Sequence, residues 1–157
     1  MRDWLEILAH CYYLFRVPPY AARLARALRR EAKVYLFDWA AVEAHGPRFE
    51  NLVALHLLKA VRTWSALGEV SAELHYVRDK EKREVDFLVV ANRKPALLVE
   101  CKLADTELSP HLLYFQERLD VPVAVQLLSA PGHERELRHG RRTQRIVSAD
   151  RWLAALP

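Results

Sequence analysis

The sequence predicts a single α/β domain in which a mixed β-sheet is flanked by helices. Its 157 residues suffice for one domain with a substantial core. Over residues 47–128 the apolar positions recur first at helical spacing, then in three strand-like runs, then again in a helix and a strand. This α-β-β-β-α-β order provides helices for both faces of the sheet.

The first part of the chain predicts two helices and a short strand. Residues 4–15 have a helical pattern, which the tandem Pro18-Pro19 ends. Residues 20–31 form a second amphipathic pattern with arginines outside its apolar stripe. Residues 34–37 are a short apolar run that predicts a strand.

The next part contains the long helix and the first three strands. Gly46-Pro47 opens a helix that extends to about residue 64, since proline suits a first helical turn. Three β-rich runs follow at residues 73–77, 84–91 and 96–103. We expect these three strands to form an antiparallel meander.

The remaining residues complete the predicted sheet. Ser109-Pro110 caps a helix that extends to about residue 119. Residues 121–128 are apolar enough for a strand covered on both faces, and we expect it to run parallel to the third strand after a right-handed crossover. Residues 129–144 predict a polar loop, residues 145–148 a last short strand, and Ser148 or Asp150 caps a terminal helix.

The composition argues against several classes of protein. With 52% hydrophobic and 28% charged residues the chain has the balance of a soluble globular protein, and its apolar runs are too short to span a bilayer. The first residues lack the basic and then apolar pattern of a signal peptide. Cys11 and Cys101 have no CxxC partners, so we expect a cytoplasmic protein without a disulfide scaffold.

Two basic clusters stand out against a net charge of only +4. One spans residues 16–33, and the other, at residues 133–145, includes Arg138, Arg141 and Arg142. Such clusters attract phosphate backbones, although they are also typical of a solvated helix face and a charged loop. We expect the second cluster to contact nucleic acid, because it follows a strand of the sheet.

Glu50 is the first of three acids that occupy positions where apolar residues are expected. It lies near the middle of the apolar face of the long helix, which includes Val53, Leu57 and Val61. A buried carboxylate needs a partner or a metal. The alternative is that Glu50 is exposed in the first turn, where an acid also suits the helix dipole.

Asp86, Glu100 and Lys102 interrupt the apolar runs of the second and third strands. Glu100 and Lys102 are two residues apart and therefore share a face. If the connecting turn has an odd number of residues, Asp86 pairs with Glu100, under the helix that carries Glu50. Carboxylates in such a group bind Mg²⁺ or Mn²⁺, although a salt bridge would explain any two of these residues.

The pattern resembles the PD-(D/E)xK nuclease superfamily through Val85-Asp86 and Glu100-Cys101-Lys102, with valine in place of the proline. The resemblance implies a restriction-endonuclease-like αβββαβ core with extra N-terminal helices. It also implies a metal held by Asp86, Glu100 and the Cys101 carbonyl, with Glu50 completing the site. Lys102 would then act on the attacking water or on the scissile phosphate.

Four longer segments resemble the uncharacterised C-terminal domain of predicted AAA-type ATPases. They are Lys33-Val34-Tyr35-Leu36-Phe37-Asp38, Arg48-Phe49-Glu50-Asn51-Leu52-Val53, Tyr76-Val77-Arg78-Asp79 with Glu84-Val85-Asp86-Phe87, and Val99-Glu100-Cys101-Lys102. The resemblance implies a winged-helix-like remnant at residues 1–33 and a nuclease-like domain at residues 34–157. The four glycines cannot supply a G-x-x-x-x-G-K-[ST] loop, so no nucleotide-binding loop is expected.

These observations lead to two hypotheses. The first is a metal-dependent nuclease that uses Mg²⁺ or Mn²⁺ to hydrolyse nucleic-acid phosphodiesters. The second is an inactive module of the same fold that binds nucleic acid or an ATPase partner, since a fold does not determine a function.

Overall fold

A computed structural model describes residues 2–20, 31–68 and 70–157. Helix α1 spans Arg2–His10 and strand β1 spans Leu14–Val17. The helix predicted over residues 4–15 therefore ends early, and Tyr12, with a φ of 55°, turns the chain into the strand. The helix predicted over residues 20–31 lies almost entirely outside the described residues.

Strand β1 forms a small antiparallel sheet with β2, which spans Lys33–Leu36. In this pairing Val17 lies opposite Lys33 and Leu14 opposite Leu36. The pairing joins the N-terminal segment to the start of the predicted nuclease-like domain.

The long helix α2 spans His45–Ala66 and follows a 3-10 turn at Trp39–Ala41. Pro47 lies in its first turn, where the missing N–H costs no helical hydrogen bond. One side of α2 is fully buried, including Val53, Leu57 and Ala60.

The main sheet has six strands in the order β3-β4-β5-β6-β8-β7. Their bounds are Ala72–Arg78 for β3, Glu84–Ala91 for β4, Lys94–Lys102 for β5, Val123–Leu128 for β6, Glu134–His139 for β7 and Arg142–Ser148 for β8. Strands β3, β4 and β5 form an antiparallel meander, whereas β6 is parallel to β5 and β8 is parallel to β6. The predicted mixed sheet, its meander and its parallel fourth strand are thus confirmed.

The polar loop predicted over residues 129–144 is wrong, because this segment contains β7 and the start of β8. Strand β7 pairs antiparallel with β8 at the edge of the sheet, and five of its six side chains are exposed. An edge strand exposed on both faces needs no apolar alternation, so the charged sequence Glu134–His139 carries no period-2 signal.

Two further helices complete the fold, α3 at Pro110–Arg118 and α4 at Ala149–Ala154. The Ser109 side chain caps α3 by accepting a hydrogen bond from the Leu112 N–H, as predicted. The Ser148 hydroxyl instead donates to the Ala130 carbonyl. None of the helices in the described ranges is long and apolar enough to cross a membrane.

The sheet separates two apolar clusters. One joins Val53 and Leu57 of α2 to Phe87 and Val99 of the sheet. The other joins α3 to the opposite face of the same strands, through Leu98 among others. Helices therefore cover both faces, and β4 and β5 lie in the middle of the layered core.

Candidate functional site

The turn between β4 and β5 sets the register of the candidate site. It has two residues, Asn92 and Arg93, both with positive φ (50° and 64°), so the condition of an odd number of turn residues is not met. The pairing then shifts between Val89 and Val90, which leaves Ala96 as an extra residue of β5. Beyond this bulge Phe87 pairs with Val99, and the same register places Asp86 opposite Glu100.

A second bulge, in β4, sets the position of Asp86. His75 pairs with Leu88 but Val77 pairs with Val85, so Asp86 and Phe87 together oppose one residue of β3. Bulges of this kind redirect side chains and are common beside functional sites. Phe87 packs in the α2-side cluster, while the Asp86 carboxylate pairs with Lys33 and the Cys101 N–H.

The backbone of β5 holds the Asp86 carboxylate in place. The Cys101 N–H donates to Asp86 Oδ2 over 2.9 Å. The Lys102 carbonyl accepts from the Ser129 N–H on the other side of the strand. Because successive peptide groups in a strand alternate in direction, the Cys101 carbonyl points toward the Asp86 side as well.

Glu100 and Lys102 form an ion pair, with Lys102 Nζ 3.0 Å from Glu100 Oε1. Cys101 packs against the α2-side cluster, so strand alternation directs Glu100 and Lys102 to the opposite face. The Glu100 side chain is only 8% exposed. Its Oε2 atom is buried and has no hydrogen-bond partner among the described residues.

On the α2 side, an ammonium group from β2 connects the acids. Lys33 Nζ lies 3.1 Å from Glu50 Oε1, 2.7 Å from Glu84 Oε1 and 3.4 Å from Asp86 Oδ1. The Tyr35 hydroxyl donates to the same Glu50 oxygen over 2.6 Å. Glu50 is therefore half-buried and paired, and it meets Asp86 through a shared cation.

Asn51 fixes β2 against α2 beside Glu50. Its Oδ1 accepts from the Leu36 N–H over 2.8 Å, and its Nδ2 donates to the Leu36 carbonyl over 2.7 Å. The Asn51 side chain is buried, and both hydrogen bonds are partly shielded from water. This pair of hydrogen bonds sets the register of β2, and that register brings Lys33 among the carboxylates.

The electrostatics of the cluster centre on Asp86. Burial, together with the charges of Glu50 and Glu100, raises the pKa of Asp86 to about 7 against the opposing effect of Lys33. Burial and nearby like charges both favour the protonated form of a carboxyl. Burial and the neighbouring carboxylates also raise the pKa of the Cys101 thiol, which stays protonated.

Both lysines of the cluster remain charged. Burial lowers the pKa of Lys33, but Asp86, Glu50 and Glu84 outweigh burial and raise it above its ordinary value. Burial also lowers the pKa of Lys102, but the hydrogen bond and the charge of Glu100 outweigh burial, so that this pKa is raised. The site therefore holds two ammonium groups at neutral pH.

The arginines predicted to contact nucleic acid already have acidic partners. Arg138 Nε donates to Glu136 Oε1 over 2.6 Å. Arg141 and Arg142 both bind the Asp120 carboxylate, at 2.9 Å and 3.0 Å.

These arginines are also separated from the acids along the sheet. Thr143 of β8 is level with Val123 of β6, which is level with Leu97 of β5. Leu97 lies three residues before Glu100, so the separation is roughly 10 Å along the strands and roughly 10 Å across them. The structure does not bring the three arginines to the acid cluster.

The donor chemistry of the cluster fits a divalent cation at two carboxylates. Carboxylate and carbonyl oxygens are the ligands that Mg²⁺ and Mn²⁺ prefer, and a buried oxygen such as Glu100 Oε2 is costly to leave unpaired. Within the described residues, no three His, Cys, Asp or Glu side chains converge as ligands. The fit thus rests on Asp86, Glu100 and the Cys101 carbonyl, with Glu50 held apart by Lys33.

Sequence reasoning assigned no role to Lys33, Tyr35 or Glu84. The signal for Lys33 and Tyr35 is their two-residue spacing, which puts both side chains on one face of β2. Glu84 is two residues before Asp86 in the same strand. Two of the three acids that pair with Lys33, Glu50 and Asp86, are 17 and 53 residues away in the chain, so only the tertiary fold reveals the network.

Most of the chain matches a known protein family. Residues 45–150 match a family described as a domain of unknown function (DUF4143). The chain belongs to the DUF4143 family. The DUF4143 match covers Glu50, Asp86, Glu100 and Lys102 but not β2 with Lys33. No curated protein matches the chain.

Proposed function

We propose that this DUF4143 chain is a metal-dependent nuclease that hydrolyses nucleic-acid phosphodiester bonds with Mg²⁺ or Mn²⁺. The proposal is carried by the acids Asp86 and Glu100, whose side chains are only 17% and 8% exposed, at the same end of adjacent strands. One Glu100 oxygen has no partner among the described residues. A salt bridge accounts for the other Glu100 oxygen but leaves this one unsatisfied.

Asp86, Glu100 and the Cys101 carbonyl would hold the metal, with Glu50 beside them. When bound, the metal would neutralise charge on the phosphate and lower the pKa of a water molecule. Asp86 is already oriented by the Cys101 N–H and Glu100 by Lys102, so both acids are positioned by their own strand pair.

Lys102 would bind the scissile phosphate. Its raised pKa keeps it as an ammonium, so it donates hydrogen bonds and cannot take a proton from water at neutral pH. Hydrolysis adds a water oxygen to phosphorus and releases the ester oxygen, which needs a proton that Lys102 can supply. Because a metal binds the ionised carboxylate, Asp86 would act as a ligand, and the proton that the water loses would pass to solvent.

The arrangement supports placing the chain in the PD-(D/E)xK nuclease-like superfamily. Asp86 lies on the second strand of the αβββαβ core, and Glu100-Cys101-Lys102 lies on the third. The resemblance to domains of predicted AAA-type ATPases further supports an ATPase as the protein partner. The reducing cytoplasm is the proposed location, in keeping with the two free cysteines.

Cleavage of labelled DNA and RNA in the presence of Mn²⁺ tests the nuclease proposal. We expect wild-type protein to cleave at least one of them, and EDTA to abolish the reaction. Asp86→Asn and Lys102→Met should each lower kcat at least about 100-fold, as expected for groups that act in the transition state. The control Lys59→Met changes an exposed lysine of α2 and should retain activity.

The ion pairs of Lys33 favour a second candidate, an inactive module that binds nucleic acid or an ATPase. One cation already compensates Glu50, Glu84 and Asp86, so part of the acid cluster is stable without a metal. Binding of nucleic acid that is insensitive to Mn²⁺ and to Asp86→Asn, without cleavage, would favour this candidate.

A further inference from the structure

Lys33 binds a carboxylate oxygen that a divalent cation at the proposed site would also bind. Its ammonium lies 3.4 Å from Asp86 Oδ1, while Asp86 Oδ2 is taken by the Cys101 N–H. Both oxygens of the Asp86 carboxylate therefore have partners. Among the described residues, Lys33 is the only charged group that binds either oxygen. The remaining buried ligand atom, Glu100 Oε2, has no partner there.

The network around Lys33 is built into the fold. Lys33 Nζ also binds Glu50 and Glu84 at 3.1 Å and 2.7 Å. It lies 5.5 Å from the centre of the Tyr76 ring, and its side chain is only 23% exposed. The Asn51 bonds to Leu36 hold β2 in register, so this contact does not depend on a flexible surface side chain.

We propose that Lys33 is an internal counter-cation that competes with the divalent metal for Asp86. With the N-terminal β1–β2 sheet docked, the ammonium stabilises the acids; when a metal binds Asp86 and Glu100, Lys33 leaves Asp86 and keeps Glu50 and Glu84. The docking of β2 thereby sets the metal affinity of the site. This inference rests on the proposed metal site.

The competition follows from charge alone. A positive charge a few ångströms from a ligand oxygen repels an incoming cation and lowers the negative potential that attracts it. Removing it should strengthen metal binding, although it removes ion pairs from the folded protein. A purely structural lysine would have the opposite effect, because its loss would loosen the acids.

Isothermal titration of the full chain with Mn²⁺, without nucleic acid, tests the inference. We expect Lys33→Met to bind Mn²⁺ about tenfold more tightly than wild type, a shift typical of removing one nearby competing charge. Lys59→Met, an exposed lysine on α2, should bind like wild type. Asp86→Asn should abolish binding in both backgrounds.

The outcomes separate this inference from the metal proposal. If wild type and Lys33→Met bind Mn²⁺ equally, or Lys33→Met binds more weakly, the competition is overturned and the metal site stands. If neither binds, both are overturned. If Lys33→Met does not fold, NMR of the wild-type lysine side chains during Mg²⁺ titration decides. The Lys33 signals should then shift and the Lys59 signals stay, while unshifted Lys33 signals with bound Mg²⁺ would reject the competition.

Discussion

The Cys101 N–H donates to Asp86 Oδ2 over 2.9 Å, so the backbone of β5 orients the acid of β4. This bond places the Asp86 carboxylate in the gap between two strands. Glu50 and Lys33 lie on one side of the gap, and strand alternation puts Glu100 and Lys102 on the other. The candidate site therefore lies where β4 meets β5, with charged groups on both faces of the sheet.

The raised pKa of Asp86 predicts a pH-dependent stability. A carboxyl whose folded pKa is raised, here to about 7, holds its proton more tightly in the folded than in the unfolded state. Its contribution is therefore complete below pH 3.8, the ordinary value for an aspartate, and is lost as the pH rises from there through 7. The groups that act on it are Glu50, Glu100, Lys33 and the Cys101 N–H.

We expect Asp86→Asn to be more stable than wild type at pH 8, by up to about 4 kcal/mol, and equally stable near pH 4. Urea unfolding of both proteins across this range measures the difference. A difference that does not change with pH would mean that Asp86 is ionised throughout as part of an ordinary salt bridge.

Asn51 should be a strong contributor to stability. Asn51→Ala removes two hydrogen bonds to the backbone of Leu36 and leaves both backbone groups partly buried. We expect a loss of about 2 kcal/mol in the free energy of unfolding, against less than about 0.5 kcal/mol for the exposed Lys59→Ala. Urea denaturation with matched m-values tests this, and equal losses would show that β2 is held by other contacts.

The turn at Asn92 and Arg93 offers a stabilising substitution. Both residues have positive φ, the geometry of a two-residue hairpin turn in which Asn-Gly is preferred. Arg93→Gly should raise the free energy of unfolding by about 0.5–1 kcal/mol without changing metal binding. Thermal unfolding provides the measurement, and a lower melting temperature would argue against this turn geometry.

The arginines of the β7–β8 hairpin should affect binding rather than chemistry. They are separated from Asp86 and Glu100, so replacing Arg138, Arg141 and Arg142 with glutamine should raise KM and leave kcat unchanged. The salt dependence of binding should fall by about one unit for each phosphate group that the protein no longer binds. Asp120→Asn is the matched control, because it frees two arginines and should tighten binding. Unchanged KM and salt slope would identify the hairpin as a solvated edge.

The sequence allowed the core of the fold to be predicted but not its edge. The apolar runs of β4, β5 and β6 carry their own signal because both faces are buried. Strand β7 has none, since its side chains face solvent and only its pairing with β8 defines it. The pairing of Asp86 with Glu100 was made conditional on an odd-residue turn; a bulge at Ala96 instead gives this register after a two-residue turn, and no local sequence pattern marks that bulge.

The acids of the site were predictable, but their connections were not. Glu50, Asp86 and Glu100 stand out because a charge on an apolar face is expensive. Lys33 lies on a four-residue strand, at the end of a stretch of sequence rich in arginine, where a further basic residue does not stand out. Its role depends on the docking of β2 on α2, which is a tertiary contact.

The central claim, a divalent metal between Asp86 and Glu100, is tested most directly by crystals of the full chain soaked in Mn²⁺. An anomalous difference map should contain a peak within about 2.5 Å of oxygens from both carboxylates, with Lys33 Nζ moved away from Asp86. A map without such a peak, in which Lys33 still binds Asp86 at saturating Mn²⁺, would contradict the claim and leave the acids as a salt-bridge cluster.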